Sequence, residues 1–300
     1  MRGGRMFPDF LPIDIQKLTA ADAIALAQTI QREPVDTPLA DTPIPTAFVQ
    51  QGDGEPPILL LHGFDSSVLE FRRLFPLLAA KTQTWAMDLL GFGFTDRIHS
   101  PAFDPGAIKL HLYSFWRQRI GRPIVLVGAS MGGAAAIDFV LTYPDCVEKL
   151  VLIDAAGFAT APAIGKLMMP PLDGWATAFL RSPKVRRQFS QKAYCDRSFV
   201  TPDAELCAAL HLQLPNWKEA LIAFTQSGGY GFLSQKIAQI HHSTLILWGR
   251  QDKILRQKDA SRFEQVIANS QLIWMPDCGH MPHLEKPQLS AQHILEFLGD

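Results

Sequence analysis

Residues 123–133 read PIVLVGASMGG, and this stretch decides the fold. An aliphatic run is followed by the pattern Gly-x-Ser-x-Gly, centred on Ser130, and then by a run of alanines. A serine exposed where a strand turns sharply into a helix has a strained backbone, and glycines two positions to either side avoid a collision there. The stretch therefore predicts a strand, a nucleophilic serine on a tight turn, and a helix packed closely on the sheet.

Other short aliphatic runs alternate with segments of helical length. Most of these runs are continuously apolar, as strands of a parallel sheet covered on both faces require. The predicted strands are residues 46–51, 57–61, 83–88, 123–128, 149–154, 244–249 and 271–275. The predicted helices are residues 20–32, 68–80, 104–120, 257–269 and 287–298. This alternation predicts an α/β fold with a mostly parallel, doubly wound sheet.

Two segments do not fit the alternation. Residues 1–45 are predicted as an N-terminal extension with one helix and a proline-rich connector. The gap over residues 158–240 is too long for a loop in a compact domain, so we predict an inserted, mostly helical subdomain there. The α/β core then comprises residues 46–157 and 241–300.

Composition narrows the classes of partner. The 300 residues are 47% hydrophobic and 19% charged, and 28 Lys and Arg balance 29 Asp and Glu. Such a balance leaves no electrostatic footprint for a nucleic acid or an anionic membrane. No apolar stretch is long enough for a membrane span or a signal peptide, so we expect no stable membrane insertion and a cytoplasmic location. The sequence identifies no protein partner.

The cysteines and histidines show no metal-binding spacing. Cys146, Cys195, Cys207 and Cys278 are scattered, which favours free thiols in a reducing compartment. The chemistry predicted below needs no metal ion and no organic cofactor.

A serine hydroxyl needs a base, and the base needs a carboxylate that orients it. The runs TLILWGRQDKI and WMPDCGHMPHLEKP place Asp252 and His280 just past two later strands. Carboxyl ends of parallel strands share one edge of a sheet, so these side chains are expected to meet there. We predict Ser130 as the nucleophile, His280 as the base and Asp252 as the orienting acid. Asp154, which ends the strand before the insertion, is the alternative acid.

A tetrahedral intermediate also needs two N–H donors for its oxyanion. The backbone N–H of Met131 follows the nucleophile directly, and that of Phe64 lies in the loop LLLHGFDSS after an earlier strand. We predict these two groups as the oxyanion hole. His62 and His283 are interpreted as structural.

Five motifs together carry a family resemblance. LLLHGF, DLLGFGFTDR, GASMGG, LILWGRQDKI and CGHMPHLEKP occur in the order found in the α/β-hydrolase fold superfamily, from about Ala47 to the C-terminus. The chain resembles its serine-nucleophile branch, which includes carboxylesterases and C–C hydrolases. The resemblance implies an α/β-hydrolase core, with residues 158–240 as a cap, or lid, over the catalytic face.

At three positions this chain differs from individual subfamilies, and the differences reduce the number of reactions that the resemblance implies. Haloalkane dehalogenases and epoxide hydrolases use an aspartate nucleophile, where this chain has Ser130. Proline iminopeptidases typically have a tryptophan at the position of Met131. Many meta-cleavage C–C hydrolases have a tryptophan at the position of Met281, which disfavours that reaction without excluding it.

The predicted cap suggests the substrate. Its apolar residues would favour a small, largely apolar acyl or aromatic group, although many of them can form the cap's own core: Met168, Met169, Trp175, Phe179, Phe189, Tyr194, Phe199, Trp217, Phe224, Tyr230 and Phe232. Its basic run RSPKVRRQ is interpreted as a solvated helix face, with binding of a substrate carboxylate as the alternative.

The predicted function is that of a serine hydrolase cleaving an ester bond in a small molecule, through an acyl-enzyme on Ser130. Two alternatives remain open. One is C–C bond hydrolysis of a diketo acid, and the other is a ligand sensor that keeps the triad with negligible turnover.

Overall fold

The computed structural model describes residues 7–97, 102–158 and 172–299. Its strands are β1 Gln31–Val35, β2 Ile44–Gln51, β3 Ile58–Leu61, β4 Thr84–Met87, β5 Ile124–Ala129, β6 Val147–Ile153, β7 Thr244–Gly249 and β8 Ser270–Met275. Its α-helices are α1 Ala21–Gln28, α2 Phe75–Ala79, α3 Pro105–Arg119, α4 Met131–Thr142, α5 Leu172–Arg181, α6 Pro183–Ala193, α7 Pro202–Ala209, α8 Trp217–Gln226, α9 Gln257–Val266, α10 Pro282–Glu285 and α11 Pro287–Gly299. Short 3-10 helices cover Ile13–Lys17, Val68–Phe71, Pro144–Cys146, Arg197–Phe199, Leu210–Gln213, Leu233–Gln235 and Ile237–Gln239.

The strands form one 8-stranded sheet in the order β1-β2-β4-β3-β5-β6-β7-β8. From β4 to β8 all neighbours are parallel, whereas β2 is antiparallel to both β1 and β4. Each parallel strand therefore ends at the same edge of the sheet. The prediction of a mostly parallel, doubly wound α/β sheet is confirmed.

The sheet is buried on both faces, which explains its continuously apolar strands. Alternate residues of one strand point to opposite faces. Accordingly, Leu126 of β5 belongs to one buried cluster, with Leu59 and Leu152, while Val125 and Val127 belong to a second cluster. Helices α3, α4 and α9 contribute to the first cluster, and α1, α2 and α11 to the second.

The N-terminal segment supplies a strand that the sequence did not predict. Its helix α1 ends at Gln28, and Gln31–Val35 then pairs with β2, where we had expected the end of the helix and a proline-rich connector. Pro34 is tolerated because β1 is an edge strand. Ile15 and Leu26 join the second core cluster, so these residues pack as part of the α/β body.

The helix predicted over residues 68–80 is wrong as a single element. The structure has a 3-10 helix at Val68–Phe71 and a separate α2 that begins at Phe75. Pro76 explains the break, because proline lacks an N–H and its ring clashes with the carbonyl four residues earlier in a continuous helix.

Residues 172–240 are called the helical insert below. They contain α5 to α8 and several 3-10 helices, and no strand is found in this described range. Residues 159–171 of the predicted cap, with Met168 and Met169, lie outside the described residues, and the division into extension, core and cap stays a prediction. Within the part of the chain that the structure describes, no helix has the length and apolar character needed to span a bilayer.

A buried histidine makes the fold sensitive to acid. His111 on α3 is fully buried, and its Nε2 donates to Thr46 Oγ1 at 2.8 Å, since that hydroxyl donates to the Ile44 carbonyl. Burial lowers the pKa of His111 to about 4. The unfolded chain takes up this proton near the ordinary value, so the stabilisation is complete above about pH 6.5 and is lost as the pH falls towards 4.

We therefore expect His111→Gln to flatten the acid side of the stability curve. Glutamine keeps an N–H donor for Thr46 but cannot be protonated. Between pH 7 and pH 4, the free energy of unfolding should fall by about 3 kcal/mol less in the variant than in the wild type, measured by urea denaturation. The control is His241→Gln at an exposed position. Parallel pH curves for wild type and His111→Gln would contradict the prediction.

Candidate active site

Ser130 lies on the turn between β5 and α4 with φ 51° and ψ −116°. Glycines make this turn possible. A Cβ on Gly128 would overlap the carbonyl of Gly132, and a Cβ on Gly132 would overlap the carbonyl of Leu61. A non-glycine residue in this region of backbone space costs about 1–3 kcal/mol, so the surrounding contacts must hold Ser130 in place.

The structure brings Ser130, His280 and Asp252 into one hydrogen-bonded chain. Ser130 Oγ lies 3.0 Å from His280 Nε2, and His280 Nδ1 lies 2.8 Å from Asp252 Oδ2. Because a carboxylate only accepts, Nδ1 carries the proton and Nε2 accepts from the serine hydroxyl. His280 follows β8 and Asp252 follows β7, at the sheet edge where β5 delivers Ser130.

The Asp252 carboxylate is anchored on both oxygens. Its second oxygen, Oδ1, accepts from the backbone N–H groups of Ile254 and Leu255 at 2.7 and 3.1 Å. Burial alone would raise the pKa of Asp252, but the hydrogen bond and the charge of His280 outweigh burial and lower it below its usual value. Asp252 is therefore ionised at neutral pH and oriented towards the imidazole.

Asp154, the alternative acid, lies behind Asp252. It is fully buried, and its Oδ1 accepts from the Gly249 N–H at 3.0 Å. Burial, followed by the charge of Asp252, raises the pKa of Asp154 well above its usual range. Asp154 thus favours the protonated form, in which its carboxyl group can donate a hydrogen bond to the neighbouring Asp252 carboxylate. Sequence reasoning had no signal for this carboxylic acid–carboxylate pair.

Asp154, Asp252 and His280 are also the one group of potential metal ligands among the described residues, with ligand atoms within 4.8 Å of one another. His280 Nδ1 and Asp252 Oδ2 are 2.8 Å apart, the distance of a direct hydrogen bond, so hydrogen bonding accounts for the closeness of these two residues.

The predicted oxyanion donors flank Ser130. A Cβ built on Gly63, the residue before Phe64, would lie 3.5 Å from the Ser130 Cβ, so the loop after β3 passes beside the serine. Met131 begins α4, whose N-terminus carries partial positive charge. Among the described residues, neither the N–H of Phe64 nor that of Met131 has a hydrogen-bond acceptor.

Buried polar groups hold the loop that carries Phe64. The sequence predicted a structural role for His62 and His283 but did not identify Glu70. Gly63 N–H donates to both oxygens of Glu70 at 3.2 Å, and His283 Nε2 lies 3.2 Å from Glu70 Oε1. His62 donates through Nδ1 to the Gly63 carbonyl and accepts at Nε2 from the Leu89 N–H. Burial lowers the pKa of His62 to about 4, so it is neutral and structural.

The basic run of the helical insert is only partly solvated. Arg181, Lys184 and Arg187 are exposed, as interpreted from the sequence. Arg186 is different, because its side chain is 19% exposed and its guanidinium pairs with Asp65 at 2.6 Å. The interpretation as a solvated face is therefore wrong for Arg186.

Aromatic side chains lie beside the predicted oxyanion donor. The ring of Phe64 contacts those of Phe92 and Phe224, with centroids 5.9 and 6.0 Å apart, and Phe224 belongs to α8 of the helical insert. Of the other aromatic residues predicted to line the cap, Trp175 and Phe179 are 74% and 59% exposed, whereas Tyr194, Trp217 and Tyr230 are buried.

The strain at Ser130 can be measured without catalysis. We expect Ser130→Gly to be more stable than Ser130→Ala by about 1 kcal/mol. Glycine relieves about 1–3 kcal/mol of backbone strain, and this gain exceeds the about 0.5–1 kcal/mol by which the greater entropy of the unfolded glycine chain opposes folding. Both variants lack the hydroxyl, so comparing them by urea denaturation removes the effect of its hydrogen bond to His280. An alanine variant as stable as the glycine variant would contradict the strain.

The model of the alpha/beta hydrolase family matches residues 58–292. The Arabidopsis thaliana alpha/beta hydrolase domain-containing protein VTE7 is 36% identical over 305 residues, covering 99% of this chain and 91% of that protein. A 2-hydroxy-6-oxo-2,4-heptadienoate hydrolase of Pseudomonas putida is 28% identical over 251 residues, covering 81% and 88%. The solved structure of a thermophilic esterase from Thermogutta terrifontis is 25% identical, with a TM-score of 0.76 over 89% of this chain and 98% of that chain. These matches confirm the fold predicted from the motifs: the chain belongs to the alpha/beta hydrolase family and is a hydrolase of that type.

Proposed function

We propose that this hydrolase cleaves an ester bond of a small, largely apolar substrate through an acyl-enzyme formed on Ser130. One observation carries the proposal. Ser130 Oγ, His280 and Asp252 form a continuous hydrogen-bonded chain, with contacts of 3.0 and 2.8 Å, beside two backbone N–H groups for which the described residues supply no acceptor. A nucleophile, a base, an orienting acid and oxyanion donors are the parts that acyl transfer requires.

The proposed reaction follows from the direction of the hydrogen bonds. His280 Nε2 removes the Ser130 proton as Oγ forms a bond to the ester carbonyl carbon. The Phe64 and Met131 N–H groups bind the developing oxyanion, while Asp252 stabilises the imidazolium. His280 then gives its proton to the leaving alkoxide as the ester C–O bond breaks. Water, deprotonated by His280, attacks the acyl-enzyme, and the acid is released as Ser130 regains a proton.

Two further observations support an ester with an apolar group. The ring cluster of Phe64, Phe92 and Phe224 places an apolar surface next to the proposed oxyanion donor. The Thermogutta terrifontis relative is named an esterase.

The test is a fluorophosphonate label combined with p-nitrophenyl esters from acetate to laurate. We expect the wild type to be labelled and to hydrolyse the series with a maximum that reports the size of the acyl site. Ser198→Ala, at an exposed serine, is the matched control and should behave as the wild type. If Ser130→Ala is still labelled or keeps more than a few per cent of the wild-type rate of ester hydrolysis, or if the wild type shows neither activity, the proposal is wrong.

C–C bond hydrolysis is the second candidate, because the Pseudomonas putida relative is named a 2-hydroxy-6-oxo-2,4-heptadienoate hydrolase. Such a substrate carries a carboxylate that a cation would bind. The guanidinium of Arg186 is already paired with Asp65, which disfavours it as that cation. Comparing kcat/KM for p-nitrophenyl esters with that for a vinylogous diketo acid separates the two reactions.

A further inference from the structure

Asp65 follows Phe64, and its carboxylate collects side chains from three parts of the helical insert. Arg186 Nη1 of α6 donates to Oδ2 at 2.6 Å. His211 Nε2 lies 3.0 Å from Oδ1, and Trp217 Nε1, at the start of α8, donates to the same oxygen at 2.8 Å. One carboxylate thus joins the loop after β3 to elements far away along the chain.

The cluster is buried and its charges are matched. Asp65 is 7% exposed, and burial alone would raise its pKa. The hydrogen bond and charge of His211, together with the charge of Arg186, outweigh burial and hold the pKa of Asp65 below its usual range. Arg186 Nη2 also donates to the backbone carbonyls of Asp65 and Ala208. The Arg186 guanidinium therefore binds protein groups, and mainly Asp65, in place of solvent.

These contacts hold a strained backbone. Asp65 has φ 50°, in the left-handed region that non-glycine residues rarely adopt. Arg186 restrains both the carboxylate and the carbonyl of this residue. On the other side of Phe64, Glu70 holds the Gly63 N–H. The Phe64 N–H thus lies between two anchored residues, one held by the α/β body and one by the helical insert.

Helix α6 reaches the base as well. At its C-terminal end, the Ala193 carbonyl accepts from the His280 N–H at 2.7 Å. Just beyond it, the Cys195 N–H donates to Glu285 Oε2 at 2.8 Å, and Glu285 Oε1 accepts from the Gly279 N–H. The two ends of α6 therefore contact the loop of Phe64 and the loop of His280.

We propose that Asp65 is a positioning residue through which the helical insert sets the Phe64 N–H for the oxyanion. The inference rests on the proposed function. It gives the helical insert a role in stabilising the transition state, in addition to enclosing the substrate. It also explains why an ion pair is buried where a solvated basic face was expected.

The test measures Asp65→Asn against Arg187→Gln. Asparagine turns an N–H towards Arg186 or loses one acceptor, so the loop shifts. Arg187, the next residue on α6, is exposed and pairs with Glu205, which makes it a matched control. A small displacement of a reacting group lowers the rate by about 10- to 100-fold. We therefore expect kcat for p-nitrophenyl butyrate to fall by about that factor in Asp65→Asn, with KM nearly unchanged. The rate is expressed per active site titrated with fluorophosphonate. Inhibition by an alkylboronic acid, whose adduct with Ser130 occupies the oxyanion site, should weaken by the same factor.

Trp217→Phe is the second variant, because it removes one N–H donor while keeping the ring, and we expect a smaller loss with the same pattern. Normal kcat per titrated site in a folded Asp65→Asn protein, or in Trp217→Phe if Asp65→Asn does not fold, would overturn the inference. So would a loss confined to KM or to the fraction of titratable sites. Wild-type protein without Ser130-dependent turnover would instead overturn the proposed function itself.

Discussion

Ser130→Ala should lower kcat for a p-nitrophenyl ester by about 10⁶-fold, the loss typical when the nucleophile of such a site is removed. The hydroxyl is the atom that the His280 imidazole meets at 3.0 Å, and no other side-chain nucleophile shares that contact among the described residues. Residual hydrolysis would come from oxyanion binding and from water activated by His280.

The fold of Ser130→Ala should be intact, because alanine keeps the Cβ and the same backbone conformation. The measurement therefore pairs steady-state kinetics with a urea denaturation curve. Ser198→Ala, at the exposed position, should retain full activity. A folded Ser130→Ala protein with more than a few per cent of wild-type kcat would exclude the acyl-enzyme.

Asp252→Asn should lower kcat by about 10⁴-fold, because the amide stabilises the wrong imidazole tautomer and cannot stabilise the imidazolium. Asp154 affects the result expected for this variant. Its carboxyl group lies beside that of Asp252, and after burial the charge of Asp252 is the next cause that raises its pKa. Removing that charge should lower the pKa of Asp154, so that Asp154 can ionise and partly replace the lost acid.

We therefore expect Asp154→Asn alone to cost less than about 10-fold in kcat, because a neutral amide can replace a protonated carboxyl as hydrogen-bond donor. Asp154→Asn combined with Asp252→Asn should be less active than Asp252→Asn alone. Measuring kcat of the three variants at pH 7 and pH 9 tests both points, since ionisation of Asp154 would raise the activity of Asp252→Asn with pH. An Asp154→Asn variant that loses as much as Asp252→Asn would assign the acid role to Asp154.

Most of the fold was predictable because its strands are buried on both faces. A strand such as β7, at Thr244–Gly249, is buried at every position and therefore mostly apolar, and the predicted bounds agree with the structure. The first strand was missed for the opposite reason. Gln31–Val35 is an edge strand with polar residues and Pro34, so its sequence looks like a connector.

The residues of the candidate site were predictable only where topology alone brings them together. Ser130, Asp252 and His280 each follow a parallel strand, and the ends of parallel strands lie at one edge of the sheet regardless of the packing of side chains in the rest of the chain. Glu70 had no such signal, because a glutamate in the 3-10 helix Val68–Phe71 looks like any surface acid until Gly63 and His283 are seen around it.

The amino-acid sequence by itself determined the α/β sheet, the strained turn at Ser130 and the order of the three polar residues, because these follow from hydrophobic period and strand direction. Only the tertiary structure decided that the pKa of Asp154 is raised and that Asp65 is held by Arg186 and Trp217, which lie 121 and 152 residues away along the chain. The physical reason is that burial and the charge of distant neighbours set the protonation and the orientation of these groups. Neither exists until the chain has folded.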